Sequence, residues 1–152
     1  MSDLKPILLA EDNPSDLELT LEALADNNLA NRVAVVRDGV EALEYLRCEG
    51  EFSQRKRGNP AVAILDIKMP RMDGIEVLRA IRADAALKTI PVVMLTSSRE
   101  EHDLIRSYEL GSNAYVVKPV KFSEFIDAVR HIGVFWAMIN ELPPDGVPEH
   151  ER

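Results

Sequence analysis

Thiol chemistry is nearly absent from these 152 residues: Cys48 is the only cysteine, so no internal disulfide can form, and a lone thiol without an activating neighbour is ordinarily inert. This usage is that of a reducing cytoplasm. Long apolar runs are also missing. The longest, such as Ile7 to Ala10 and Pro91 to Leu95, fall far short of the roughly 20 residues that cross a bilayer, and no transmembrane segment is expected. The opening Met1-Ser2-Asp3-Leu4-Lys5-Pro6 lacks the basic start, apolar core and cleavage site of an export signal. Positive charge is in deficit, with 18 Lys and Arg against 26 Asp and Glu and a net charge of −8. Phosphate backbones would repel such a surface, and nucleic-acid binding is not expected. There is no internal repeat. What remains, 46% hydrophobic and 29% charged residues, is the balance of a soluble globular protein, long enough for one full core and too short for two ordinary domains.

Apolar, β-rich runs alternate with stretches of helical period, and this alternation predicts a parallel sheet covered by helices on both faces. Strands are predicted over Pro6–Glu11, Arg32–Arg37, Ala61–Asp66, Pro91–Thr96 and Ala114–Lys118, each too uniformly apolar for a surface strand. Helices are predicted over Ser15–Asn27, Val40–Glu49, Gly74–Ala83, Arg99–Leu110 and Ser123–Met138, with apolar spacing such as Leu17, Leu21, Leu24. Asp38-Gly39, Asp73-Gly74 and Gly111-Ser112 supply turn or helix-end chemistry. The polar stretch Gly50–Pro60 carries Arg55-Lys56-Arg57 and reads as a solvated loop. One domain is expected over residues 1–142, with Pro143–Arg152, rich in proline and charge, as a disordered tail.

In an open parallel α/β sheet the ligand site lies beyond the carboxyl ends of the strands. Glu11 and Asp12 end the first predicted strand, Asp66 the third, Thr96 the fourth and Lys118 the fifth. Each alone has a plain reading as a helix cap, turn residue or surface lysine. Together they put acid, acid, hydroxyl and amine at one edge. Three carboxylates held close would repel one another unless a cation neutralised them, and hard oxygen donors suit Mg2+. With the metal bound, one carboxylate can act as a nucleophile toward phosphorus while the metal, lysine and hydroxyl stabilise the phosphoryl oxygens. Asp66 is the most central. Asp73, just before a helix, reads instead as a turn or N-cap residue.

From about Pro6 to Ile132 the sequence resembles the receiver domains of two-component response regulators. The motifs are Leu9-Ala10-Glu11-Asp12-Asn13, Leu65-Asp66-Ile67-Lys68-Met69-Pro70-Arg71-Met72-Asp73-Gly74, Leu95-Thr96-Ser97 and Tyr115-Val116-Val117-Lys118-Pro119. The resemblance implies a doubly wound, flavodoxin-like sheet of order 2-1-3-4-5. It implies Asp66 as phosphoacceptor, Glu11, Asp12 and Asp66 as Mg2+ ligands with the Lys68 backbone carbonyl, Thr96 and Lys118 against the phosphoryl group, and Tyr115 as a switch aromatic. It also implies a cis Lys118-Pro119 bond. Glu11 departs from the commonest acidic pair, where Asp stands first, and lengthens one arm by a methylene.

Ser107-Tyr108-Glu109-Leu110, the polar loop before Pro60 and Phe135-Trp136 resemble the small regulators partnered with bacterial and cyanobacterial phytochrome histidine kinases. That implies a phytochrome-type kinase as phosphodonor and a homodimer through the C-terminal helix region or an extended arm; Ile132, Val134, Phe135, Trp136, Met138, Ile139 and Leu142 offer more apolar surface than one face can bury. Two other readings compete. A phosphatase or phosphotransferase of related architecture would need a second acid near the nucleophile and a substrate cap, but position 68 is Lys and no cap insertion is present. A degenerate receiver acting only by contact would have lost members of the acid, hydroxyl and lysine set, and none is missing.

Overall fold

The computed structural model describes residues 5–25, 32–97 and 106–131. Its elements run β1 (Ile7–Ala10), α1 (Pro14–Ala25), β2 (Val33–Val36), α2 (Gly39–Arg47), a 3-10 turn at Gly50–Phe52, β3 (Val62–Asp66), α3 (Gly74–Ala83), β4 (Val92–Thr96), helical residues 106–109 (α4), β5 (Ala114–Val117) and α5 (Phe122–His131). All strand pairs are parallel and the order is β2-β1-β3-β4-β5. This is the doubly wound arrangement that the sequence resemblance implies.

The period-2 rule for strands explains how so apolar a sheet is buried on both sides. Leu8 and Ala10 of β1, Ala63 and Leu65 of β3, and Val92 and Met94 of β4 face one way, into a core completed by Ala42, Leu46, Leu78 and Ile81 from α2 and α3. Their neighbours Ile7, Leu9, Val62, Ile64, Val93 and Leu95 face the other way, against Leu17 and Leu24 of α1 and Phe125 and Val129 of α5. The chain therefore leaves β1 toward one face and β3 toward the other, and the connections diverge between the carboxyl ends of these two strands. No helix among the described residues is long and apolar enough to cross a membrane.

Most predicted boundaries hold within one or two residues, and the differences have local causes. Helix α1 starts at Pro14 rather than Ser15, because proline suits the first helical turn and the Asn13 side chain caps it by accepting from the Asp16 N–H at 2.9 Å. Helix α2 ends at Arg47 rather than Glu49, with Cys48 left-handed at φ 56° and its N–H bonded back to the Tyr45 carbonyl. Asp73 is the N-cap of α3 in a full capping box with Glu76. The Lys118-Pro119 bond is cis. The solvated-loop reading fails for Arg55: its guanidinium lies 4.1 Å above the Tyr45 ring and donates to the Tyr45, Leu46, Lys56 and Gly58 carbonyls. Lys56 and Arg57 are exposed as expected. The first part of the predicted fourth helix, the continuation of the last helix to Met138 and the tail from Pro143 lie outside the described residues.

Candidate functional site

At the point where the connections diverge, the ends of β1 and β3 place three acids together. Glu11 stays in line with the sheet because its N–H donates to the Val36 carbonyl at 3.0 Å, and it is wholly buried. Asp12 follows at the open side. Asp66 is the last residue of β3, in register with Leu95 of β4, and is buried. One oxygen from each of Glu11, Asp12 and Asp66 lies within 4.8 Å of the others. Behind Asp66 the chain turns sharply: a Cβ at position 74 would collide with the Asp66 carbonyl oxygen, so glycine is what lets α3 begin so close to the acid. The Lys68 N–H reaches Asp66 Oδ1 at 3.4 Å.

Lys118 follows β5 directly, and its N–H donates to the Thr96 carbonyl at 2.8 Å. Its Nζ lies 2.7 Å from Glu11 Oε1 and 3.0 Å from Asp66 Oδ2. A third carboxylate, Asp16 Oδ2 in the first turn of α1, is also 3.0 Å away. Thr96, the last residue of β4, is buried at the same edge. Every edge residue singled out in the sequence is therefore brought to one place, and Asp16 is an addition. Its signal in the sequence is the four-residue step from Asp12 into a helix, masked by that helix's apolar stripe Leu17, Leu21, Leu24.

Burial pushes the Glu11 carboxyl up, Lys118 pulls it down and Asp66 pushes it up again, for a net value of about 7. Burial pulls the Lys118 ammonium down, but Glu11, Asp66 and Asp16 outweigh it and hold the proton more tightly than usual. The cluster sets four acids, Glu11, Asp12, Asp16 and Asp66, around the one ammonium of Lys118. Glu11 Oε1, buried beside that ammonium, has no aligned hydrogen bond. A buried acid oxygen left incomplete, beside two further carboxylates, fits a hard divalent cation with oxygen donors such as Mg2+. Tyr115 stands apart on β5, half-buried, with its ring 6.0 Å from that of Tyr108 at 74°. Both border an open groove shared with Lys118, Lys121, Asp127 and His131.

Residues 7–130 match the response regulator receiver domain. The chain belongs to that family. This receiver domain is 38% identical over 139 residues to the response regulator Rcp1 of Synechocystis sp., covering 91% of this chain and 93% of Rcp1. A solved structure of the bacteriophytochrome response regulator AtBRR is 59% identical with a TM-score of 0.85, covering 92% of this chain and all of that one. A structure of Rcp1 in its Mn2+-bound form is 37% identical with a TM-score of 0.71, covering 92% of this chain and 99% of that one. The chain is thus a phosphoacceptor domain of the phosphorelay kind, similar to phytochrome response regulators, with an acidic site for a divalent metal.

Proposed function

We propose that this receiver domain accepts a phosphoryl group on Asp66 from a sensor histidine kinase of the phytochrome type and passes the signal on by changing its protein contacts. The observation that carries the reading is Asp66 itself: a buried strand-end carboxylate within reach of a second and third acid and of the Lys118 ammonium. An Asp66 carboxylate oxygen attacks the phosphorus of the kinase phosphohistidine. The new P–O bond forms as the P–N bond breaks, and the electron pair leaves with the histidine ring. Glu11, Asp12, Asp66 and the Lys68 carbonyl would hold Mg2+, which would supply neutralising charge to the phosphoryl oxygens. Lys118 and the Thr96 hydroxyl bind the same oxygens from the β4–β5 side.

The acyl phosphate adds negative charge where Thr96 and Lys118 can answer by moving. Tyr115, three residues before Lys118, changes rotamer with them, and the surface formed by α4, β5 and α5 is the output face. The chain does no chemistry on free substrates beyond its own phosphorylation and dephosphorylation. It works in the cytoplasm, as a homodimer through the C-terminal helix region, with neither nucleic acid nor membrane as partner. The acidic balance and the apolar residues between Ile132 and Leu142 support this.

The test is phosphorylation by a small phosphodonor with and without Mg2+, comparing the wild type with Asp66→Asn by intact mass and size-exclusion chromatography. One phosphoryl adduct, dependent on Mg2+ and lost in Asp66→Asn, is expected. No adduct in the wild type, or one that survives the substitution, removes the assignment.

A further inference from the structure

The loop between β3 and α3 contains the molecule's other conspicuous piece of backbone. Arg71 has φ 63°, and across it the Met72 N–H donates to the Pro70 carbonyl at 2.6 Å. A bond from i+2 to i around a positive φ marks the strained form of the γ-turn. Glycine or asparagine would adopt this conformation at less cost. Here the position holds a long cation, and its guanidinium closes on one oxygen of Asp38, with Nε at 2.9 Å and Nη2 at 2.8 Å from Oδ2.

Asp38 is almost fully buried. Its other oxygen caps α2 by accepting from the Glu41 N–H at 2.9 Å. One carboxylate therefore fastens the start of α2 to a loop 33 residues further on. The backbone meets there as well: a Cβ on Gly39 would run into the Met72 carbonyl oxygen and the Val77 side chain. The far end of the loop is held by the Asp73–Glu76 capping box and by the Gly74 N–H on the Ile67 carbonyl. Between these anchors lies Lys68, whose carbonyl is the backbone ligand in the proposed metal set.

We propose that Arg71 is a positioning residue: its ion pair with Asp38 holds the β3–α3 loop in the shape that aims the Lys68 carbonyl at the metal. The inference rests on the phosphoacceptor reading of the site. It explains why a strained position carries arginine, since the side chain, rather than the backbone, makes the connection. It also gives an unusual sign. Removing positive charge from the chain favours cation binding by simple Coulomb action, whereas loss of the pin weakens it.

The test measures Mg2+ binding to the unphosphorylated chain by calorimetry, beside metal-free thermal stability, in Arg71→Gly, Arg71→Lys and Asp38→Asn. Glycine relieves the strained φ, which offsets part of the cost of leaving the Asp38 carboxylate without its guanidinium, so Arg71→Gly should lose a few degrees of melting temperature, stay folded at about 25 °C, and bind Mg2+ about tenfold more weakly there, the size usual for losing support behind a metal ligand. Arg71→Lys, which keeps the charge, should lie between it and the wild type. Asp38→Asn keeps an oxygen for the α2 cap and should match Arg71→Gly. The double variant should be no worse than either single one, because both break one link. Unchanged or tighter Mg2+ binding in Arg71→Gly overturns the inference, as does an equal loss in Arg82→Met, which is destabilised through bonds to Gly111, Lys88, Ile90 and Asn113 away from this loop. If the wild type itself binds no Mg2+, the reading of the site fails instead.

Discussion

Lys118→Met removes the ammonium shared by three carboxylates while keeping a side chain of similar reach. At contact distances of 2.7 to 3.0 Å, a unit charge pair is worth about 6 kcal/mol gross at an effective dielectric near 20. Desolvation of the ammonium offsets much of that. The Asp16 side chain is 36% exposed, so its contribution is discounted for solvent screening. Glu11 and Asp66 remain, both buried and both left without a counter-charge. Removing one partner from such a set costs about 3–5 kcal/mol, and we expect that loss in the metal-free variant at pH 8. The pH dependence has a definite sign. The Glu11 carboxyl already sits at about 7 against an ordinary 4.5, and it rises further without Lys118. A carboxyl raised on folding contributes stability that is fully present below its unfolded value and lost as pH rises through its folded value. Lowering the pH to 5 should therefore recover most of the loss. Mg2+ at pH 8 should do the same by supplying the missing charge. Urea unfolding followed by circular dichroism, at both pH values and with and without Mg2+, measures all four cases. A deficit below about 1 kcal/mol, or one of equal size under every condition, would show that Lys118 acts through packing of its aliphatic stem and would refute the charge argument.

Three further outcomes follow from the same geometry. Because Glu11 holds its proton to about 7 and a metal binds the ionised form, Mg2+ binding at pH 6.5 should release protons. Calorimetry in two buffers of different ionisation enthalpy would show it, and equal heats would count against it. Arg82 donates to the Gly111, Lys88 and Ile90 carbonyls and to Asn113 Oδ1 at 2.7 to 3.0 Å, so Arg82→Met should cost about 3 kcal/mol and lower the melting temperature by about 6–12 °C; a shift under a degree or two would mean that water replaces those donors. Asp16→Asn should change stability by no more than about 1 kcal/mol, since its carboxylate is partly exposed, and a larger loss in a urea titration would show that Asp16 shares the ammonium equally with the buried acids.

The parts of this molecule that were legible in the sequence are those whose cause is local. Ile7 to Ala10 and Val62 to Leu65 are apolar without alternation because both faces of the sheet are covered, and the run itself says so. Asp73 followed by Glu76 is a capping box that can be read from four residues. The acids, Thr96 and Lys118 could be grouped because a parallel sheet brings all its carboxyl ends to one edge. Asp38 was different. Its place before Gly39 gave the turn, but its bond to Arg71 depends on how β2 and β3 flank β1, which no local pattern encodes. Arg55 sat in a basic triplet that looked like a solvent face, and only the fold brings Tyr45 beneath it. Asp16 was hidden by the opposite habit, a charged residue on an amphipathic helix being taken for its wet side.

The three contacts of Lys118 have one more consequence. An ammonium has three N–H bonds, and here it donates to Asp16 and Asp66 while Glu11 stands beside it in ionic contact. On the proposed reading, an arriving phosphoryl oxygen must share this ammonium with two bonded acceptors and a third carboxylate at ionic contact. Competition for the ammonium then depends on which carboxylate yields its place most readily. Asp16, the one facing water, can be resolvated when it lets go, while Glu11 cannot.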